Sequence, residues 1–228
     1  MTNRFRSQRV EAIILRHSDW GEADRLLWIF TRELGKLRVV AKGVRKPRSR
    51  KAGHLEIFTR AHLQLAWGRE MYIVTQAEAI NSNLKLRDDL VRVGYAAYAV
   101  ELLDRFTYEE GEHQALYRLL AETLERLNEE PDPAFAVHYY EIRLLDQIGF
   151  RPQLFQCIRC EAKIQPEDQY FSAELGGVLC PKCGLGYPGA RPITLRALKT
   201  LRHFQRSSYA EARRLHLTGP VDHELENL

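Results

Sequence analysis

The sequence predicts an α+β protein, with a small five-stranded barrel in front of an all-α region that carries a four-cysteine insertion. Three observations lead there. Five short runs rich in Val, Ile, Leu and aromatics fill the first 80 residues with no helical segment between them. The apolar period then changes from 2 to 3.6 at about Asn81. The 4 cysteines, last, fall in two C-x-x-C pairs. The expected domains are a nucleic-acid-binding barrel over 1–80, a helical domain over 81–150 and 191–228, and a metal-binding insertion over 151–190.

The five runs are VEAIILRH, DRLLWIFT, KLRVVAKG, RAHLQLAW and MYIVTQ, separated by turn chemistry at Asp19-Trp20-Gly21, Leu34-Gly35 and Trp67-Gly68-Arg69. Such a count suits the OB-fold barrel, whose strands 2 and 3 form the usual binding face. In the third run Leu37, Val39 and Ala41 alternate with Lys36, Arg38 and Lys42, giving an apolar inner face and a cationic outer one, with Val40 the exception. Trp28 and Trp67 alternate in phase with Leu26, Phe30 and Leu65 and are expected in the core. Trp20, in a turn, is the candidate for base stacking.

The most basic stretch continues from that strand. From Lys36 to Lys51, 8 of 16 residues are Lys or Arg and none is acidic. Gly43 ends the strand, and Arg45, Lys46, Arg48, Arg50 and Lys51 follow in a loop. Like charges held together repel one another, and a polyanion relieves that repulsion. A solvated charge run is the plainer reading, but continuity with the basic strand face favours a nucleic-acid groove, to which Arg25 is added from strand 2.

Beyond residue 80, Val91, Tyr95, Tyr98, Leu102 and Phe106 form one helical face. A second carries Leu116, Leu119, Leu120, Leu124 and Leu127, and a third, after Pro131-Asp132-Pro133, carries Phe135, Tyr139, Ile142, Leu145 and Ile148. Net charge follows the same divisions: +8 over 1–80, −7 over 81–150 and +3 over 151–228. The acidic helices are expected to meet proteins rather than DNA.

Cys157 and Cys160 are separated by 19 residues from Cys180 and Cys183. Two such knuckles bring four thiolates onto one ion in a closed tetrahedral site, which predicts one structural Zn2+ per chain with no position left for a catalytic water. Gly184–Gly189 formally matches G-x-G-x-x-G but contains Pro188 and lies outside any βαβ unit, so it carries no nucleotide expectation. In the last helix, from about Thr194 to Gln205, Leu195, Leu198 and Leu201 share a face. Arg196, Lys199, Arg202 and Arg206 form a stripe that is either solvated or a second DNA contact; the first three are carried as candidates. The tail from Gly219 is expected to fray.

A 228-residue chain with mean hydropathy −0.39 contains no run of apolar residues long enough to span a membrane. With no signal-peptide pattern, a cytoplasmic location is expected. Nor is there a Walker A, H-E-x-x-H or G-x-S-x-G motif, so no catalytic residue is assigned and a non-enzymatic binder is expected. The alternative enzyme is a metal-dependent nuclease acting through Glu22 and Asp24; a zinc-ribbon transcription factor is a third reading.

Five segments stand out in order: Gly21-Glu22-Ala23-Asp24-Arg25-Leu26, Phe30-Thr31 with Gly35-Lys36-Leu37, Ala41-Lys42-Gly43-Val44-Arg45-Lys46, Tyr98-x-x-Glu101-Leu102, and Leu144-Leu145-x-x-Ile148-Gly149-Phe150-x-Pro152-x-Leu154 running into Cys157. Together they resemble the RecO family of bacterial recombination mediators. The resemblance covers nearly the whole chain. It implies an OB-fold, a helical domain and a zinc knuckle on the four cysteines, which some members lack. It also implies binding of single- and double-stranded DNA, annealing of complementary strands and, with the partner RecR, help in loading RecA onto DNA coated by single-stranded-DNA-binding protein. A cytoplasmic, nucleoid-associated protein follows.

Overall fold

In the computed structural model, residues 7–107 and 113–228 are described; the basic residues 1–6, read above for a leader, lie outside them. Five strands, β1 (Ser7–Trp20), β2 (Asp24–Thr31), β3 (Gly35–Ala41), β4 (Arg60–Trp67) and β5 (Tyr72–Asn81), close in the order β1-β2-β3-β5-β4. The closing seam is short: β3 meets β5 in parallel only at Val39–Tyr72 and Val40–Ile73. This is the partly open five-stranded barrel of the OB type that the strand count predicts. Its interior holds Val10, Ala12, Ile14, Leu27, Ile29, Val39, Ala41, Leu63, Leu65 and Val74. Alternate residues of every strand therefore point inward, as the period-2 pattern requires.

One irregularity resets that pattern. The β1–β2 register shifts between Ile14 and Arg16, a bulge at Leu15. Before it the even-numbered residues of β1 face inward; after it Arg16, Ser18 and Trp20 face outward. The outward face of β2 carries Leu26, Trp28 and Phe30, since Leu27 and Ile29 fill the core. Trp28 is thus half-buried on the outside of the barrel, a correction to the core assignment made from its phase with Leu26 and Phe30. The phase is right, but it belongs to the outer face.

Two helices cover one end of that face. Phe30 stacks against His113 and Tyr117, with ring centroids 6.3 and 6.2 Å away, and is fully buried, worth about 2 to 3 kcal/mol. Tyr117 belongs to α3 (Gln114–Glu129), whose Leu116, Leu119, Leu120, Leu124 and Leu127 are buried as the periodicity predicts. The short α1 (Leu84–Arg87) leads into α2 (Leu90–Phe106), capped by the Asp89 carboxylate on the Val91 and Arg92 amides. α2 departs from expectation. It buries Ala96, Ala99, Val100 and Leu103, while the anticipated stripe is turned outward, Val91 being 63% and Phe106 45% exposed. Small side chains let the α2 backbone approach its neighbours, and a helix apolar on most sides gives periodicity no single face to choose. Glu11 locks the barrel to α3: Arg60 Nε donates to its Oε1 at 2.6 Å and the Tyr117 hydroxyl at 3.1 Å.

Contacts divide the chain into two compact units, Met1–Pro131 and Asp132–Leu228. The first two long helices belong to the barrel's unit. The third, α4 (Pro133–Gln147), belongs to the cysteine-bearing unit, together with β6 (Gln169–Ser172), β7 (Gly177–Leu179), α5 (Pro181–Gly184) and β8 (Arg191–Ile193). α6 (Leu195–Arg206), α7 (Tyr209–Ala212) and α8 (Gly219–Glu226) complete it. The core of this unit contains Phe135, Tyr139, Leu154, Val178, Leu198 and Phe204. The tail expected to fray is helical as α8, burying Val221 and Leu225. The buried His138 of α4 also holds it, bonding Asp222 at 3.2 Å and Glu141 at 3.4 Å.

Candidate nucleic-acid interface and metal centre

The cations of the 36–51 stretch divide into two groups. Lys36 points outward from β3 as predicted but lies under the C-terminus of α2. Its ammonium pairs with Asp104 Oδ1 at 2.9 Å and donates to the carbonyls of Asp104 and Thr107 at 2.8 and 2.9 Å. The last carbonyls of a helix lack partners and carry its negative dipole end, so a lysine there is a cap. Lys51 is likewise engaged, donating to Val74 O at 2.8 Å, and burial pushes its ammonium below the usual lysine range. Both of these candidate DNA contacts are thus engaged within the fold.

Arg25 is engaged in a different way. It has the inward parity of Leu27 and Ile29, and at the barrel end it bonds Glu56 Oε1 at 3.1 Å and lies 3.7 Å from Asp19. Arg45 is exposed, yet it fastens the loop to the β1–β2 turn, reaching Asp19 at 3.2 Å and the carbonyls of Gly21 and Glu22. Asp24 performs the matching task from below, its Oδ1 accepting the Gly43 amide at 2.7 Å. Gly43 takes φ +66 to make that turn, a conformation costly for other residues.

What remains is a clear set. Lys42, Lys46, Arg48 and Arg50 are all exposed, and none of their side chains forms a hydrogen bond or ion pair among the described residues. Arg38 is exposed on the same side of β3 as Lys42. Behind Arg38 in the ladder stands Trp28, and behind Trp28 stands Arg16, whose guanidinium carbon lies 4.0 Å from the centroid of the Trp28 rings. Sequence reasoning missed Arg16. Nothing in β1 taken alone places it beside Trp28; the bulge does that.

In α6 the stripe separates in the same way. Arg202 donates from Nε and from a terminal nitrogen to Leu154 O at 2.8 and 2.6 Å, and lies over the Phe155 ring at 4.9 Å. Burial and the adjacent Arg206 lower its pKa, as expected of a guanidinium used as an internal strut. Arg196 and Lys199 are exposed and line a shallow groove of about 370 Å³ with His203, His216 and Thr218.

The four cysteines converge. Their Sγ atoms all lie within 4.8 Å of one another, the only such metal-ligand group among the described residues. Cys160 and Cys180 stand 3.8 Å apart, far beyond a disulfide bond and close to the ~3.8 Å edge of a tetrahedron built on 2.3 Å Zn–S bonds. Each pair is positioned by its own backbone. Glu161, at φ +60, donates to Cys157 O at 2.8 Å, while Cys183 and Gly184 return their amides to Cys180 O at 3.0 and 2.8 Å. A Cβ on Gly184 would lie 2.4 Å from Tyr170, so glycine is what lets this turn seat on β6. Burial opposes ionisation of Cys157, but backbone N–H groups of Cys160, Cys180 and Arg159 outweigh it and bring the thiol to about 6. Hydrogen bonding to Cys180 and Cys160 pushes Cys183 up to about 12. Crowded sulfurs of this kind cannot all ionise unless a cation sits among them, so the donor set fits a thiophilic dication.

Comparison with known proteins agrees along the length of the chain. Residues 5–83 match the family described as Recombination protein O N terminal, and residues 87–228 match Recombination protein O C terminal. The DNA repair protein RecO of Roseiflexus sp. (strain RS-1) is 44% identical over 225 residues, 99% of this chain and 79% of that protein. That of Dehalococcoides mccartyi (strain CBDB1) is 37% identical over 218 residues, 96% of this chain and 86% of that protein. That of Symbiobacterium thermophilum is 36% identical over 220 residues, 95% and 87% of the respective chains.

Proposed function

The chain belongs to the RecO family of DNA-repair proteins, and from that premise we propose that it is a recombination mediator that binds DNA without cutting it. In this reading it holds single- and double-stranded DNA, anneals complementary strands and, with RecR, helps load RecA onto DNA coated by single-stranded-DNA-binding protein, inside the cytoplasm and at the nucleoid. The observation that carries the DNA contact is the unpartnered set Lys42, Lys46, Arg48 and Arg50 beside the outer face of β3. Cations without internal partners are the ones able to neutralise phosphates and release counterions. A backbone-reading surface of this kind gives little sequence preference. Cys157, Cys160, Cys180 and Cys183 hold one Zn2+ as a structural support, since four thiolates leave the ion no open position.

The nuclease alternative loses support because the Asp24 carboxylate already accepts the Gly43 amide. The test is annealing of complementary oligonucleotides, with and without single-stranded-DNA-binding protein, in the absence of nucleotide and of Mg2+. Annealing with intact strands is expected. Magnesium-dependent scission abolished by Glu22→Ala would overturn the reading.

A further inference from the structure

The outer face of the barrel holds more than phosphate-binding charge. The bulge at Leu15 turns Arg16, Ser18 and Trp20 to the side that already carries Trp28 on β2 and Arg38 on β3. The register sets Arg16 opposite Trp28 and Trp28 opposite Arg38, so one tryptophan lies between two arginines across three adjacent strands. Trp20, 51% exposed, stands four residues further along β1 on the same face, about 13 Å away at 3.3 Å per residue. Lys42 is four residues beyond Arg38, just past the end of β3, and opens the basic loop.

We propose that Trp28 is a base-stacking platform for single-stranded DNA, with Trp20 a second one further along the same strip. Arg16 covers the ring in the free protein, and an incoming base takes its place. The proposal rests on the DNA-binding reading above and adds which side chains touch bases instead of phosphates. Three considerations support it. Trp28 is half-buried on the outer face, and the Arg16 guanidinium lies over its ring at the end of a long, flexible side chain of the kind that a ligand can displace. Single strands are held by aromatic faces set within a cationic groove, and Arg16, Arg38 and Lys42 supply the cations beside this one. When a base displaces Arg16, the guanidinium is left at the strand backbone, where a phosphate can receive it.

A protein carrying Trp20→Phe and Trp67→Phe reports Trp28 fluorescence alone. It is titrated with oligo-dT and with an abasic phosphodiester chain of equal length. The expected result is quenching of Trp28 by oligo-dT and none by the abasic chain. Trp28→Ala should weaken oligo-dT binding about 5- to 150-fold and leave the abasic chain unaffected. Trp28→Phe should restore most of the affinity, which separates stacking from a folding defect. Equal binding of both chains with unquenched Trp28, or an unchanged oligo-dT affinity in Trp28→Ala, overturns the platform while leaving DNA binding intact. Failure of both chains to bind overturns the DNA-binding reading itself, and the platform with it.

Discussion

Two stretches of this chain look cationic on paper, the strand and loop from Lys36 to Lys51 and the helix α6, yet they use their charges differently. In the loop, Lys42, Lys46, Arg48 and Arg50 face solvent with no side-chain partner among the described residues, while Lys36, Arg45 and Lys51 are held by the fold. In α6, Arg202 is bound twice to the Leu154 carbonyl and Arg206 lies 3.9 Å from the Phe155 ring centroid. A count of lysines and arginines cannot tell a ligand surface from a set of struts. What separates them is whether an unsatisfied carbonyl or aromatic face lies within reach inside the fold. Helix C-termini and irregular loops, rich in such carbonyls, capture nearby cations.

The largest expected effect tests whether the α6 side of this comparison depends on the metal. Leu154, the acceptor for Arg202, lies three residues before Cys157. Removing the ion with a chelator, or substituting Cys157→Ser, should unfold the unit Asp132–Leu228, because metal binding in such sites is coupled to folding by on the order of 10 kcal/mol. All three tryptophans belong to Met1–Pro131, so their emission should hold while far-UV helix signal falls. DNA affinity should survive as well. If affinity disappeared along with the metal, the binding surface would include the helix, and the comparison would break.

Next in size is the loop. Replacing Lys42, Lys46, Arg48 and Arg50 with Ala should flatten the slope of log affinity against log salt by about 2 to 3 units, at about 0.7 for each contact to single-stranded DNA. The melting temperature should hardly move, since none of the four is bound to the rest of the fold. The pair Arg196→Ala and Lys199→Ala should flatten the slope by at most about half as much. Titrations with a fluorescent oligonucleotide at several salt concentrations measure both. A larger effect in the helix pair would reverse the ranking.

Much of this was readable from residues. β2 and β4 occur where DRLLWIFT and RAHLQLAW predict, because period 2 and flanking turns are local signals. The cysteine cluster followed from spacing, since a C-x-x-C turn is built by its own backbone. The parts that were not readable are all non-local. Trp28 was assigned to the core because alternation reveals phase and not which face is inside, and the bulge that matters sits on another strand. The outward stripe of α2 was missed because its alanines, and not its large side chains, make the close contacts. Lys36 looked free until the end of α2, almost seventy residues later in sequence, came to rest on it.

A smaller effect addresses the strut directly. Arg202→Met keeps the apolar stem over Phe155 but leaves the Leu154 carbonyl without its donor. It should destabilise the second unit by about 1 to 3 kcal/mol, as expected for an orphaned partly buried acceptor. Arg202→Lys should recover part of that, as one bond in place of two. Thermal denaturation resolves the difference, and the salt slope of DNA binding should be the same in both variants. A change in slope without a change in stability would return Arg202 to the ligand surface.

The smallest expected effect is pH-dependent and lies in the same unit. His138 of α4 is buried. Burial alone would lower its pKa, but hydrogen bonds and charges from Glu141 and then Asp222 outweigh this and raise it above 6.5. Since the folded value is the higher one, the protonated His138 contributes stability in full below 6.5, and that contribution is lost as pH rises through the folded value. Asp222 belongs to α8, which packs on both α4 and α6. Raising the pH should therefore loosen α8 by on the order of 1 kcal/mol, read as lower amide protection across Gly219–Glu226, relative to the base-catalysed intrinsic rate, while protection in the barrel is unchanged. His138→Gln should show the loosened behaviour at every pH. Because Arg196 and Lys199 line a groove whose far wall is the Thr218–Val221 turn entering α8, any DNA bound there should weaken over the same pH range. DNA held by the loop should not. A salt slope that stays constant through the transition places the phosphates on the barrel, and one that changes with α8 places some of them on the helix.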